Sequence, residues 1–132
     1  MFSSLEANSS YMRAFDEVML NSTSYPSIET IKKDIAKVDL KTDIIRHFRL
    51  ENKTDKDDRI DTLSSTYQTE FERALALRQL FYIFFERGGE LGTKDYERTK
   101  TFERLYTQEV NSWQRIKDSN NTNSGFDDII RA

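Results

Sequence analysis

A dense apolar run lies between Phe71 and Phe85, with the sequence FERALALRQLFYIFF, in which eleven of fifteen residues are apolar or aromatic. A helix that is apolar almost all round belongs at the centre of a bundle, because several neighbours must cover it. The run is shorter than the roughly 20 apolar residues that a membrane-spanning helix needs, and four polar residues interrupt it. It therefore predicts the central buried helix of a soluble domain.

Apolar residues recur at steps of three and four along most of the chain, which is the spacing of helices rather than of strands. The pattern predicts four main helices, over Ser4–Leu20, 27–50, 57–87 and 94–117. Ser3 and Glu6 fit a capping box for the first helix. Ser27 fits the N-cap of the second helix, whose predicted buried stripe is Ile28, Ile31, Ile35 and Val38.

The second helix has one ambiguous point. Its apolar pattern resumes as Ile44, Ile45 and Phe48, but the phase shifts near Asp39 and Leu40. The sequence allows either a break, with Thr42 as a new cap, or one kinked helix that continues to Leu50.

The third and fourth helices form the predicted centre of the bundle. The charged segment ENKTDKDDR leads into the third helix, which is predicted to be continuous for about 45 Å at 1.5 Å per residue and to end at Gly88. Thr93 can cap the fourth helix. The fourth helix carries an aromatic-rich stripe, and we expect it to lie antiparallel to the third and to pack against Phe81, Phe84 and Phe85. The stripe consists of Tyr96, Phe102, Leu105, Tyr106, Val110, Trp113 and Ile116.

The carboxy-terminal part has a different composition. Residues 118–125, DSNNTNSG, resemble a flexible linker. Phe126, Ile129 and Ile130 follow on one helical face, and we predict that they bind a partner, because so short a helix is not stable alone. The sequence leaves two docking sites open, its own bundle or a neighbouring subunit, with the neighbour slightly favoured.

These patterns together predict an all-α fold, a bundle of about four main helices around a long central apolar helix. Residues 1–117 form one domain, and residues 118–132 form a flexible polar linker with a short apolar segment. Four glycines and one proline in the whole chain also favour long helices over a turn-rich β fold.

Composition narrows the classes of function. The chain has no cysteine, which excludes disulfides, thiolate zinc sites and cysteine nucleophiles. With 20 basic and 23 acidic residues, the net charge is −3, and no basic stripe indicates specific nucleic-acid binding. No secretion signal is recognisable at the start of the sequence. A hydrophobic core explains most of the aromatic residues, which are nine Phe, six Tyr and one Trp, although aromatic residues also anchor protein interfaces.

Three candidate chemical sites are better explained structurally. His47 lies between Arg46 and Arg49, without the carboxylate and nucleophile that a general base needs. A calcium loop counted from Asp55 has Ile and Thr where Gly and Glu are required. The Gly88-Gly89 pair follows a helix rather than a strand and lacks the Lys of a phosphate loop. We therefore expect no catalytic residues, no metal, no cofactor and no small-molecule substrate.

Residues 27–117 resemble the helical head–tail connector (adaptor) proteins of tailed bacteriophages. The matching stretches are DKDDRID, ALALRQLFYIFFERGG and DYERTKTFERLYTQEVNSW. The resemblance implies a ring of copies docked beneath the portal in the virion, with tails that bridge neighbours or the next ring. The expected function is therefore a non-enzymatic structural adaptor that contacts itself and neighbouring portal or tail proteins. The alternative is a small cytosolic interaction or regulatory module that binds one protein partner.

Overall fold

The computed structural model of the protein describes residues 1–15, 27–86 and 94–113. These residues form helices and turns without any β-strand, so the predicted all-α bundle is confirmed. In the described part of the chain, no helix combines the length and the apolar character that a membrane crossing needs. The α-helices are α1 (Ser9–Arg13), α2 (Lys33–His47), α3 (Lys56–Thr66), α4 (Gln68–Glu86) and α5 (Lys94–Asn111). Two 3-10 turns, Phe2–Ser4 and Ile28–Thr30, complete them.

Helix α4 is the centre of the bundle, as the sequence predicted. It contacts α1, α2, α3 and α5, and its apolar residues are buried around most of its circumference. The buried residues of α4 are Phe71, Ala74, Leu75, Ala76, Leu77, Gln79, Leu80, Phe81, Ile83 and Phe84. Because so little of its surface is polar, this helix is stable only where other helices cover it.

The most extensive helix pair is α4 with α5. The two helices run antiparallel, because Arg73 near the start of α4 binds Glu109 near the end of α5, whereas Phe84 stacks on Phe102 with ring centroids 5.5 Å apart. Burial of Phe102, Tyr106 and Trp113 confirms that the aromatic stripe faces the core. Phe85, which the sequence had placed in this contact, is 60% exposed instead.

An aromatic cluster closes one end of the bundle. The Trp113 indole is fully buried and lies 4.9 Å from Phe71, 6.2 Å from Phe48 and 5.7 Å from His47, measured between ring centroids. His47 meets the indole edge to face, so its ring is part of the packing between α2 and the end of α5.

In its described part, the predicted amino-terminal helix over Ser4–Leu20 is confirmed only over Ser9–Arg13, and its predicted start is wrong. Residues 2–4 form a 3-10 turn, Leu5 is extended, and α1 begins only after Asn8, whose side chain accepts a hydrogen bond from the Tyr11 N–H. The capping box does not form, because the Glu6 N–H donates to the Glu72 carboxylate of α4 at 2.7 Å. A long-range bond thus replaces the local one.

The predicted start of the second helix at Ser27 is also wrong. The chain makes a 3-10 turn at residues 28–30, and Lys32 then adopts a left-handed conformation with φ of 61° before α2 begins. The buried amide of Gln79 holds this turn, since its Nε2 donates to the carbonyl oxygens of Glu29 (3.0 Å) and Ile31 (2.9 Å). The turn changes the phase of the helix that follows.

The open question about residues 38–42 has a clear answer. Helix α2 is continuous from Lys33 to His47, and Thr42 is not a cap, because its Oγ1 donates to the Val38 carbonyl oxygen within the helix. The helix ends at His47 rather than at Leu50, and Arg49 beyond it has a positive φ of 57°.

The predicted single helix over 57–87 is wrong, because α3 ends at Thr66 and α4 begins at Gln68. Tyr67 between them has φ of −117° and ψ of 38°, outside helical geometry. Thr62 and Thr66 both donate their hydroxyls to the carbonyl four residues earlier, a pattern that bends helices. The acidic start of this region is as predicted, with Asp57 and Asp58 in the first turn of α3.

Several predictions concern residues outside the described part of the chain. These are the second half of the first predicted helix, the Gly88 and Thr93 caps, Ile116, the linker 118–125, and Phe126, Ile129 and Ile130. They stay predictions.

The packing of α4 generates a test of the core. Phe84→Ala should lower the free energy of unfolding by about 3–5 kcal/mol, because the Phe84 ring is fully buried and stacks on Phe102. Phe85→Ala is the matched control, since its side chain is mostly exposed and its loss should cost less than about 1 kcal/mol. Urea unfolding of both variants measures the difference. Equal losses would contradict the assignment of Phe84 to the core.

Candidate partner-binding surface

Helix α2 carries apolar residues on two opposite faces. Its inner face consists of Ala36, Leu40 and Ile44, all fully buried against the core. With 3.6 residues per turn, Ile35, Val38 and Thr42 lie on the face that points away from it, and Ile45, which is partly buried against the core, lies at the margin of that face. We call these four residues the α2 stripe.

The α2 stripe is substantially exposed. The exposed fraction is 46% for Ile35 and 64% for Val38, whereas Ile45 is half-buried. The Thr42 hydroxyl is used inside the helix, at 2.9 Å from the Val38 carbonyl oxygen, which leaves its methyl group to continue the stripe. In the described residues, α2 packs on α4 and α3 with its other faces.

The spacing of the α2 stripe is that of a helix-binding surface. Its members are separated by three, four and three residues, which is the heptad spacing that keeps apolar side chains on one line toward a partner helix. Single exposed apolar residues are ordinary on protein surfaces, whereas contiguous apolar patches mark contact sites. The geometry therefore favours binding of an apolar helical segment.

One edge of α2 is held to the bundle by buried polar contacts. The Arg78 Nε of α4 donates to Asp39 Oδ2 at 2.8 Å, and the Tyr82 hydroxyl donates to the same oxygen. The Tyr106 hydroxyl of α5 donates to Asp43 Oδ2 at 2.5 Å. These bonds fix the rotation of α2 about its axis, so Ile35, Val38 and Thr42 of the α2 stripe must point outward.

The opposite edge of α2 is tied to the amino-terminal segment. Lys33 Nζ binds both carboxylate oxygens of Glu6 at 2.9 and 3.0 Å, and Lys37 Nζ donates to the Ser3 carbonyl oxygen at 2.7 Å. Burial lowers the pKa of Lys37, and the neighbouring charge of Lys33 acts in the same direction. With both edges anchored, α2 is a rigid support for the surface that it presents.

Burial determines the protonation behaviour of the tyrosines in this network. It raises the pKa of Tyr106 far above its usual value, and the hydrogen bond to the Asp43 carboxylate adds to the effect. Tyr82 shifts in the same direction, first through burial and then through Asp39. Burial opposes the charge of Arg78, but the hydrogen bond and the charge of Asp39 outweigh it, so the pKa of Arg78 is raised.

A polar cleft of about 730 Å³ lies beside this network, between α2 and α5. Its ionic groups include Arg78 with Asp39 and Arg46 with Asp43, which pair with one another. The Arg78 guanidinium also lies 4.9 Å from the centre of the Tyr106 ring. In the described parts of the chain, no group of three or more His, Asp or Glu side chains could hold a metal ion. The paired groups around the cleft join α2, α4 and α5 to one another.

The α2 stripe was missed by sequence reasoning. Counting a helix from Ser27 placed Ile35 and Val38 in the core, whereas the left-handed Lys32 separates them from Ile28 and Ile31. A second apolar series at steps of four, Ala36, Leu40, Ile44 and Phe48, was the available signal. The residues that the sequence did propose for partner binding, Phe126, Ile129 and Ile130, lie outside the described residues.

The buried tyrosine network predicts a loss of stability in alkali. The pKa of Tyr106 is higher in the folded than in the unfolded chain, so its stabilising contribution is complete below about pH 10 and is lost as the pH rises further. One such tyrosine adds a slope of up to about 1.4 kcal/mol per pH unit. Tyr106→Phe should lower the free energy of unfolding at pH 7 by about 1.5–3 kcal/mol, through the lost hydrogen bond to a charged group, and should flatten the slope above pH 10. Urea unfolding from pH 7 to 11 measures both, and an unchanged slope would contradict the assignment.

Comparison with known proteins adds no relative. No protein-family model matches the chain, and neither a curated protein nor a solved structure matches it.

Proposed function

We propose that this protein is a non-enzymatic structural adaptor of a phage particle, forming a ring at the head–tail junction through protein–protein contacts. The observation that carries the contact function is the α2 stripe, an aligned apolar surface on a helix anchored along both edges. The phage assignment itself rests on the resemblance of residues 27–117 to head–tail connectors. On this proposal the protein acts in the virion.

Another exposed apolar residue, Phe85, lies at the end of α4. Lys32 Nζ at the start of α2 lies 2.5 Å from the Glu86 carboxylate, so the end of α4 is close to the start of α2. Phe85, beside Glu86, is one of the most exposed large apolar residues of the described chain. Ile35, Val38 and Phe85 together suit the apolar centre of a subunit contact, since aromatic and aliphatic anchors dominate binding energy at interfaces.

The free energy gained by burying these side chains is sufficient for association when several copies assemble. Burying a whole Val, Ile or Phe side chain is worth about 1.5–3 kcal/mol, and these residues keep roughly half of their surface exposed in the single chain. Such a contact is weak between two copies alone. A closed ring strengthens it, because each subunit makes the same contact on two sides.

The heptad spacing of the α2 stripe also favours a second candidate function. A single amphipathic helix from another protein fits such a surface by laying its own apolar face on it. The protein would then be a small interaction or regulatory module rather than a ring component. The two proposals share the surface and differ in the number of copies in the complex.

The proposal predicts that a charge in the α2 stripe abolishes assembly without unfolding the chain. Val38→Asp should leave the free energy of unfolding within about 1 kcal/mol of the original, because Val38 is exposed and only helix propensity changes. The same variant should remain monomeric where the original protein forms rings. Sedimentation velocity over a concentration series and negative-stain microscopy of the rings measure this.

Ser65→Asp is the matched control, because it adds the same charge at an exposed position of α3 and should assemble normally. Normal rings from Val38→Asp would contradict the α2 stripe as the contact. A protein missing from purified particles of its virus would contradict the adaptor proposal, and one-to-one binding to a cellular protein would favour the second candidate.

A further inference from the structure

The last residue that the structure describes lies beside α2, the helix that carries the α2 stripe. This residue is Trp113, and the Trp113 indole lies against His47 and Phe48 at the carboxyl end of α2. Because this side chain is fully buried, its position is fixed. Residues 114–132 therefore start from a known point next to α2.

The remaining chain is long enough to bring its apolar segment to the α2 stripe. The predicted linker, residues 118–125, can span at most about 28 Å, and a flexible chain of that length has an average end-to-end distance of about 16 Å. Along α2, nine residues separate His47 from Val38, which is about 13.5 Å. The segment that begins at Phe126 can reach the middle of the α2 stripe of its own chain.

The segment and the α2 stripe are chemically complementary. The spacing of Phe126, Ile129 and Ile130 would place all three on one face of a helical turn, and the stripe offers an aligned row of aliphatic groups of similar length. Asp127 and Asp128 interrupt the apolar residues of the segment. Lys41 and Arg46 on the two flanks of the stripe are paired with Asp57 and Asp43, so the complementarity rests on the apolar residues.

The size of the α2 stripe favours a tethered segment over a second copy. A stable interface between separate proteins buries about 800 Å² per partner, from roughly 20 or more residues, so the four residues of the stripe by themselves hold two separate copies only weakly. A tether changes this balance, because it holds the segment at an effective concentration on the order of millimolar. A weak contact is then occupied within the chain at protein concentrations far too low for dimers.

We propose that residues 126–130 dock on the α2 stripe of the same chain and cover it in the isolated protein. The contact gives the short segment the support that it needs to be helical, and it shields Ile35 and Val38 from water. The proposal rests on the same surface as the proposed function and deepens it. A partner or neighbouring subunit that uses the α2 stripe must first displace the segment, which makes the segment a regulator of assembly.

Disulfide trapping tests this docking directly, because the chain has no cysteine of its own. Val38→Cys combined with Ile129→Cys should form a disulfide within one chain under dilute, mildly oxidising conditions, as shown by mass spectrometry and non-reducing electrophoresis. The matched control is Arg104→Cys with Ile129→Cys. Arg104 is exposed and lies nine residues before Trp113 on α5, so the tether reaches it over a similar distance.

The docked pair should oxidise at least about tenfold faster than the control pair, since docking holds the two sulfurs together and a free tether does not. Equal rates for the two pairs would overturn the proposal. Disulfide-linked dimers in place of the intramolecular product would overturn it as well, because they would show docking on a neighbour.

A second measurement uses NMR and needs no introduced cysteine. A chain that stops at residue 117 should keep its fold, and its amide NMR signals should differ from those of the full chain at residues 35, 38, 42 and 45. Ile129→Asp in the full-length chain should move the same signals toward their positions in the shortened chain. Changes confined to other helices would overturn the proposal. Both measurements are made on monomers, so their failure is distinguishable from a failure to form rings.

Discussion

The need to cover α4 on every side organises this structure. Ala74, Leu75 and Leu80 point in different directions from the helix axis and are all fully buried. A helix of this kind has no face for water, so its neighbours must surround it. Helices α2 and α5 cover it along its length, both antiparallel to it, and α1 and α3 cover its remaining surface. The positions of the other helices follow from this requirement.

The few polar residues of α4 decide how each neighbour is placed. Arg73 binds the Glu109 carboxylate of α5 through two nitrogens, at 2.7 and 3.2 Å. Arg78 binds Asp39 of α2, and Gln79 holds the turn before α2. Apolar burial is proportional to area and tolerates many rotations of a helix, whereas a buried polar group is costly unless its partner is in place. These three side chains therefore select one arrangement from the many that hydrophobic packing allows.

This arrangement leaves apolar side chains exposed on the outside of α2. Asp39 and Asp43 must face α4 and α5, and Lys33 and Lys37 must reach the amino-terminal segment. The inward position then belongs to Ala36, Leu40 and Ile44, and Ile35 and Val38 of the α2 stripe are left without a place in the core. The contact role that we propose for the α2 stripe follows from the polar bonds on the other sides of the same helix. The function proposed for the protein depends on this one orientation.

The sequence by itself determined the all-helical class, the central position of α4, the antiparallel α5 with its buried aromatic stripe, and the acidic start of α3. These features follow from apolar periodicity and local composition, which act over a few turns of chain. Only the tertiary structure decided the extended start of the chain, where the Glu6 N–H donates to the Glu72 carboxylate of α4 and no capping box forms. The phase of α2 was likewise decided by Gln79, almost fifty residues away, because it stabilises the turn that restarts the helix. Local spacing cannot reveal hydrogen bonds between distant residues, so the exposed surface on α2 became visible only when the helices were packed together.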